Sequence, residues 1–344
     1  MKTRDKIESK EAQVSNNNGY YARDITEVIG NTPLVRLRRL TQERSIKATI
    51  LVKLEFMNPT GSVKDRMAIY LLNEAVHKGE LKPGGTIVEA TSGNTGAAVA
   101  MFASAYGFKA ILTIPDKMSK EKVDALKAFG AEVHICPTAV PPDSPESYYE
   151  TAKRIQRQTP NSYLIGQYFN LDNIKAHYRT TGPEIWRQTE GEIDVFVGGI
   201  GTGGTVSGVA RYLKEKNPKI EIVAVDPMGS VFYNYHKDAT LIEPHPYLVE
   251  GIGDDFLCPT LDFSVIDKIY QVTDKECFLM TRELTRKEGI FGGGSSGAAV
   301  HVALQHAADL DEDKTVVVIL PDSGAKYISK IFNDDWMQEK GFLE

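Results

Sequence analysis

Residues 194–205 read DVFVGGIGTGGT: a short strand, Asp194–Val197, runs directly into a loop with five glycines in eight positions, Gly198–Thr205. A helical pattern over Thr205–Lys216 follows, and then a strand over Ile220–Asp226. Glycines let the backbone come close to an anion. The helix start adds N–H groups that lack intrahelical partners and carry a partial positive charge. A phosphate is the predicted guest, in preference to a merely tight turn.

The strand-then-helix rhythm extends in both directions. Upstream, a strand over Ala48–Glu55 meets the turn Pro59-Thr60-Gly61. A helix follows, opened by a Ser62/Asp65 capping-box pattern, with Val63, Met67, Tyr70, Leu71 and Ala75 at helical spacing and a stop near Gly79. Next come strand Thr86–Ala90, a loop, helix Ala97–Tyr106, strand Lys109–Ile114, helix Ser119–Phe129 closed by Gly130, and strand Ala131–Cys136. A Pro-rich stretch, Pro137 to Pro145, interrupts the rhythm. Beyond residues 194–226, a late helix starts near Ser296 and precedes the apolar strand Thr315–Leu320. Repeated alternation of this kind predicts an α/β fold of mostly parallel twisted sheets flanked by helices.

Composition narrows the function. A chain of 344 residues exceeds one average domain, so two domains are expected. Forty basic against forty-six acidic residues leave a net charge of −6, which argues against a nucleic-acid or anionic-membrane partner. No apolar run approaches the roughly twenty residues that span a bilayer. The polar opening, residues 1–19, has no apolar core of a signal peptide and reads as a disordered tail. Cys136, Cys258 and Cys277 are isolated, which excludes a disulfide scaffold and a thiolate zinc site and fits a reducing cytoplasm. The seven His residues form no HExxH-like cluster, so no metal is expected. A cytoplasmic protein with a small-molecule substrate is the expectation.

Ligands of parallel α/β folds gather beyond the C-terminal strand ends. Four loops there can carry chemistry: Pro59–Arg66, Thr91–Gly96, Gly198–Thr205 and Gly292–Gly297. Gly199, Gly201 and Gly204 spell GxGxxG, and Asp226 stands where a ribose-binding acid would lie, so an NAD(P)-dependent dehydrogenase is a rival reading. Gly293-x-Ser295-x-Gly297 matches a nucleophile elbow, but no Asp or Glu lies between Ser295 and His306, and the hydrolase order of acid and then His cannot be built. Ser295 instead reads as a hydrogen-bonding group at a helix start. The loop Thr91-Ser92-Gly93-Asn94-Thr95-Gly96 gathers hydroxyl, amide and N–H groups suited to a carboxylate, or to ordinary capping. Lys64 falls in the first turn of its helix, where the dipole opposes a cation and eases loss of a proton, as a Schiff-base amine requires. A solvated surface lysine is the plain alternative.

Taken together, Asn58-Pro59-Thr60-Gly61-Ser62-Val63-Lys64-Asp65-Arg66, TSGNTG at 91–96, GTGGT at 201–205 and GGGSSG at 292–297 resemble the cysteine synthase/cystathionine β-synthase family of pyridoxal-phosphate enzymes. The likeness runs from about Tyr20 to Leu343, with Asn31-Thr32-Pro33-Leu34 and Pro321-Asp322-Ser323 near its ends. VEGIGDDF at 249–256 and DWMQEKGFL at 335–343 look closer to cystathionine β-synthase catalytic cores than to plain cysteine synthases. The resemblance implies a fold type II, tryptophan synthase β-like architecture. Residues 20–57 and 175–344 would form a large cofactor-binding domain and 58–174 a smaller mobile one, with the cofactor in the cleft between them. It implies that Lys64 binds pyridoxal 5′-phosphate covalently and moves protons at the substrate Cα. Gly201, Thr202, Gly203, Gly204 and Thr205 would cradle the phosphate, Asn94 would bond the 3′-oxygen, and Ser295 would face the ring nitrogen. Thr91, Ser92, Thr95 and Gln167 would take the substrate carboxylate.

A hydroxyl at the ring nitrogen, unlike a carboxylate, does not hold a proton there. That favours prompt loss of a β-substituent from serine, O-acetylserine or cysteine to give an aminoacrylate, to which homocysteine, sulfide or another nucleophile adds. Asp254 departs from the tyrosine or small residue usual in the family. It could be a base for an incoming thiol or water, could repel an acidic co-substrate, or could be a solvent-facing loop residue. The leading residues carry no Cys or His and nothing follows Glu344, so neither haem nor adenosyl-ligand regulation is expected. A homodimer is implied by resemblance alone.

Overall fold

The structure is a computed structural model that describes residues 21–344 except 117, 119 and 142; the tail expected over residues 1–19 lies outside the described residues. Its strands, in chain order, are β1 (Leu34–Arg36), β2 (Thr49–Leu54), β3 (Thr86–Ala90), β4 (Lys109–Pro115), β5 (Glu132–Cys136), β6 (Ser162–Leu164), β7 (Val195–Gly199), β8 (Glu221–Pro227), β9 (Lys268–Val272) and β10 (Thr315–Leu320). The chain divides into two compact units. One comprises Asn58–Thr60 and Lys64–Gln167 with the described residues up to Ile29. The other comprises Gly30–Met57, Gly61–Val63 and Tyr168–Glu344.

The first unit holds a four-stranded sheet in the order β5-β4-β3-β6, parallel throughout. All five residues of β3 are buried, as a central strand covered on both faces requires. Helix Lys64–His77 buries Met67, Leu71 and Ala75 from the predicted stripe, while Tyr70 stays half-buried. Its start differs from the predicted box: the Asp65 carboxylate takes the backbone N–H of Thr60 at 2.7 Å and the Thr60 hydroxyl as well. Ser62 is drawn into an antiparallel bridge with Asp322.

The second unit holds a six-stranded sheet in the order β1-β2-β10-β7-β8-β9; β1 runs antiparallel to β2 and the other pairs are parallel. Alternation along β10 assigns its two faces. Val316, Val318 and Leu320 join the core beneath helix Gly294–His306, with Ala298, Ala299 and Val302. Val317 and Ile319 join the opposite core beneath helix Gly204–Lys216, with Val206 and Val209. Because helices cover both faces, β10 reads as continuous Val, Ile and Leu with no polar alternation.

Several elements lie where the sequence pattern predicts none: helices Tyr148–Gln158, Asp172–Arg179 and Thr181–Gln188, strands β6 and β9, and helix Asp274–Glu288. Strand β6 has three half-buried residues, too few for a period to emerge. Helix Asp274–Glu288 did have a local signal, the Thr273/Glu276 capping box that the structure forms in both directions. Among the described residues no cluster of His, Cys, Asp and Glu is arranged to hold a metal. No helix there is long and apolar enough to cross a membrane.

Phe196 is fully buried on β7, in the core under helix Gly204–Lys216. Phe196→Ala is expected to lower the unfolding free energy of this unit by about 3–5 kcal/mol, read from the denaturant midpoint.

Candidate active site

Strand β7 ends at Gly199, and the helix Gly204–Lys216 begins four residues after Ile200. Its cap, Gly203, sits at φ 86° and offers no side chain to the first turn. Thirteen aligned peptides therefore present open N–H groups at this end, which is the physical basis of anion binding. The glycines are also demanded by neighbours. A Cβ on Gly201 would lie 2.7 Å from the Gly251 carbonyl oxygen, and one on Gly204 would lie 2.1 Å from Asn173 Oδ1.

Two residues that the sequence reading missed support this loop from behind. Asn173 Nδ2 donates to Thr202 Oγ1 at 3.0 Å. His177, one helical turn further on, lies 3.1 Å through Nε2 from Thr205 Oγ1, and 2.8 Å through Nδ1 from Thr181 Oγ1. Asn173 and His177 are almost fully buried. They stand about thirty positions before the loop, so no local spacing could have exposed them. Thr202 is fixed further: its carbonyl accepts the Thr260 hydroxyl, and its own hydroxyl accepts the Gly204 N–H at 3.4 Å.

Ser295 lies in the first turn of helix Gly294–His306, whose cap Gly293 again gives no side-chain bond. It is 2% exposed. Ser296 beside it has a buried hydroxyl with no partner among the described residues. Asp254 belongs to the same unit, and its backbone is anchored: its N–H donates to Ser230 Oγ at 3.1 Å and its carbonyl accepts from Val231 at 3.2 Å. The residue is half-buried. Desolvation pushes its carboxyl up to about 7, with the charges of Asp255 and Asp226 acting the same way against a hydrogen bond from the Asp255 amide. The Cys258 thiol points to its Oδ2 at 3.9 Å.

In the other unit, helix Asn94–Tyr106 begins three residues earlier than its apolar pattern predicts, so Asn94 and Thr95 lie in its first turn. Thr91 Oγ1 accepts the N–H groups of Gly93 at 3.0 Å and Gly96 at 2.9 Å. Thr95 is brought to Gln167, donating to Oε1 at 2.7 Å across 72 positions. Ser92 is exposed and Asn94 half-buried. Lys64 opens its own helix and is half-buried. The predicted residues of this unit thus lie at two helix starts, with Thr95 and Gln167 brought together.

The family described as pyridoxal-phosphate dependent enzyme matches residues 25–322. The chain belongs to that family. Among curated proteins it is similar to cystathionine beta-synthase of Oryctolagus cuniculus, 46% identical over 321 residues that cover 93% of this chain and 58% of the relative. It is likewise similar to cystathionine beta-synthase of Apis mellifera, 46% identical over 95% of this chain and 65% of the relative. The chain therefore spans less than two thirds of these relatives. The O-acetylserine dependent cystathionine beta-synthase of Bacillus subtilis (strain 168) is 41% identical over 89% of this chain and 96% of its own length.

The residues fit pyridoxal phosphate. A glycine-capped helix start meets the need of a phosphate for N–H donors. The buried Ser296 hydroxyl has no partner among the described residues, and Ser295 beside it adds a second buried hydroxyl at a glycine-capped helix start. The nicotinamide reading of GxGxxG gives way to this family, and its acid fails on geometry. Asp226 is wholly buried, with Oδ2 accepting from the Tyr233 amide at 2.9 Å, so no ribose reaches it.

Asp226 carries a cost that can be measured. Burial lifts its carboxyl from the usual 3.8 to about 6, and Oδ1 has no partner among the described residues. The folded chain holds this proton more tightly than the unfolded one, so ionisation erodes stability as pH rises from about 4 to about 6. Asp226→Asn cannot ionise. Its stability relative to the parent is expected to improve between pH 4 and pH 7 by up to about 3 kcal/mol, measured as denaturant midpoints at each pH.

Proposed function

We propose that the chain catalyses β-replacement on a three-carbon amino acid in the manner of a cystathionine β-synthase. Serine, O-acetylserine or cysteine would exchange its β-substituent for homocysteine. Placing sulfide on O-acetylserine, or releasing sulfide from cysteine, would be companion activities. The observation that carries the reading is 41% identity spanning 96% of the O-acetylserine dependent Bacillus subtilis enzyme.

When bound, pyridoxal phosphate supplies an aldehyde that takes an amine and a ring that accepts electrons from the substrate. The remaining work belongs to side chains and backbone. Lys64 would hold the cofactor through its amine and would carry the proton to and from the substrate Cα. The N–H groups and hydroxyls of Gly201, Thr202, Gly203, Gly204 and Thr205 hold the phosphate, with Thr202 and Thr205 oriented by Asn173 and His177. Asn94 would bond the 3′-oxygen. Ser295 would offer the ring nitrogen a neutral hydroxyl, which would limit electron withdrawal and favour early departure of the β-substituent. Thr91, Ser92, Thr95 and Gln167 take the substrate carboxylate. Asp254, poised near neutrality, accepts the proton of the incoming thiol or water. The three buried free cysteines favour a cytoplasmic setting, and the same reading places the chain in a homodimer with residues 58–174 as the moving part.

Two outcomes test this. Lys64→Ala is expected to lose turnover entirely while retaining weakly bound, borohydride-insensitive cofactor; products of serine, O-acetylserine and cysteine with homocysteine or sulfide, identified by mass, name the reaction of the parent. Asp254→Asn is expected to slow thiol addition about 10²–10⁴-fold, with loss of the donor's β-substituent nearly unchanged in stopped-flow traces. The parent's second half-reaction should weaken as pH falls through about 7, and the variant's should not.

A further inference from the structure

Glu89 is a carboxylate in the middle of a strand otherwise made of Thr, Ile, Val and Ala, and it is 1% exposed. Burying such a group is costly unless donors surround it. Its donors are consecutive backbone amides of the segment after β6: Gly166 N–H at 2.8 Å from Oε2 and Gln167 N–H at 3.3 Å from Oε1. Gly166 stands at φ 64°, the left-handed conformation that turns neighbouring N–H groups toward one anion. The Gln167 side chain is held at both ends as well. Its Nε2 donates to the Ala90 carbonyl at 3.3 Å, and its Oε1 accepts the Thr95 hydroxyl at 2.7 Å. The amide therefore has one orientation. Adjacent residues of β3 grip Gln167, Glu89 by the main chain and also through the side-chain amide, and Ala90 by the side chain.

We propose that Glu89 is a positioning residue for the substrate carboxylate: by pinning the Gly166–Gln167 backbone, it sets where the Gln167 amide and the Thr95 hydroxyl meet the amino-acid donor. The proposal rests on the reading above that Thr91, Ser92, Thr95 and Gln167 form that subsite. Burial drives the Glu89 carboxyl up to about 7 even though both amides pull it down. A side chain needed only for packing would be better served there by an apolar residue of similar size. The group kept in place is one whose geometry, two acceptors aimed at successive amides, is what a fixed loop requires.

The test uses the purified holoenzyme. Glu89→Gln keeps the shape but offers one acceptor and turns an NH2 group toward the other amide. KM for serine or O-acetylserine is expected to rise about ten-fold, with kcat within about three-fold and KM for the thiol unchanged. Combined with Gln167→Ala, Glu89→Gln should add little to the effect of Gln167→Ala alone, since both act through one side chain. If Gln167→Ala and Thr95→Ala raise donor KM but Glu89→Gln does not, the role of Glu89 is overturned and the subsite stands. Where neither Gln167→Ala nor Thr95→Ala raises it, the subsite itself is wrong and Glu89 falls with it. Should Glu89→Gln fail to fold, hydrogen exchange on the parent decides. Slow exchange at Gly166 and Gln167, slowed further by saturating donor, supports the proposal, and exchange at open-loop rates overturns it.

Discussion

Open N–H groups at the starts of helices are the constraint on which the rest of this structure depends. Three helices, Asn94–Tyr106, Gly204–Lys216 and Gly294–His306, begin on the glycine caps Gly93, Gly203 and Gly293, none of which contributes a side-chain bond. Donors left this way must find acceptors. The protein supplies a few itself, with Thr91 taking two amides and Thr202 one. What remains is a set of oriented dipoles at the ends of strands, suited to a phosphate, a carboxylate and a heteroaromatic nitrogen. The glycines that create this situation are held in place from outside the loops as well. A Cβ on Gly96 would lie 2.7 Å from the Thr91 side chain, and one on Gly297 would lie 2.1 Å from Thr281 Oγ1. Tight packing and open donors are thus the same feature seen from two sides.

The second theme is buried acid. Glu89, Asp226 and Asp254 are each pushed up toward neutrality by desolvation, which outweighs the hydrogen bonds that favour their ionised forms. Buried carboxylates of this kind erode stability at neutral pH. Each makes a contact that an apolar residue cannot: Glu89 grips two amides, Asp226 takes the N–H of Tyr233, and Asp254 takes the N–H of Asp255. Stability is traded for placement in three separate positions.

Much of the site was legible because its residues are local. Lys64 at a helix start, the glycine loop at 201–205, the TSGNTG turn and Ser295 behind Gly293 all lie within single strand–turn–helix units, where spacing and residue type carry the information. The core strands were legible for the same reason: Thr86–Ala90 and Thr315–Leu320 are unbroken apolar runs covered on both faces. Helix Tyr148–Gln158 and the pair over 172–188 were not among the predicted elements. The helices did carry a local signal, since Tyr148, Ala152 and Ile155 recur at helical spacing behind the Ser147 cap and the pair is as amphipathic, whereas β6 is too short to show a period.

The sequence by itself determined the alternation of strands and helices, the glycine-rich loop at 201–205 and the helix-start lysine as candidates, and the family. Those follow from short-range chemistry, written within ten or so residues. Tertiary structure decided which groups stand behind the loops: Asn173 and His177 against Thr202 and Thr205, Gln167 against Thr95, and Glu89 against the amides of 166 and 167. It also decided that partial burial lifts the Asp254 carboxyl to about 7 and that Asp226 is fully buried. A hydrogen bond across 72 or 77 positions exists only once strands have paired, and a carboxylate's affinity for its proton depends on the water that folding removes.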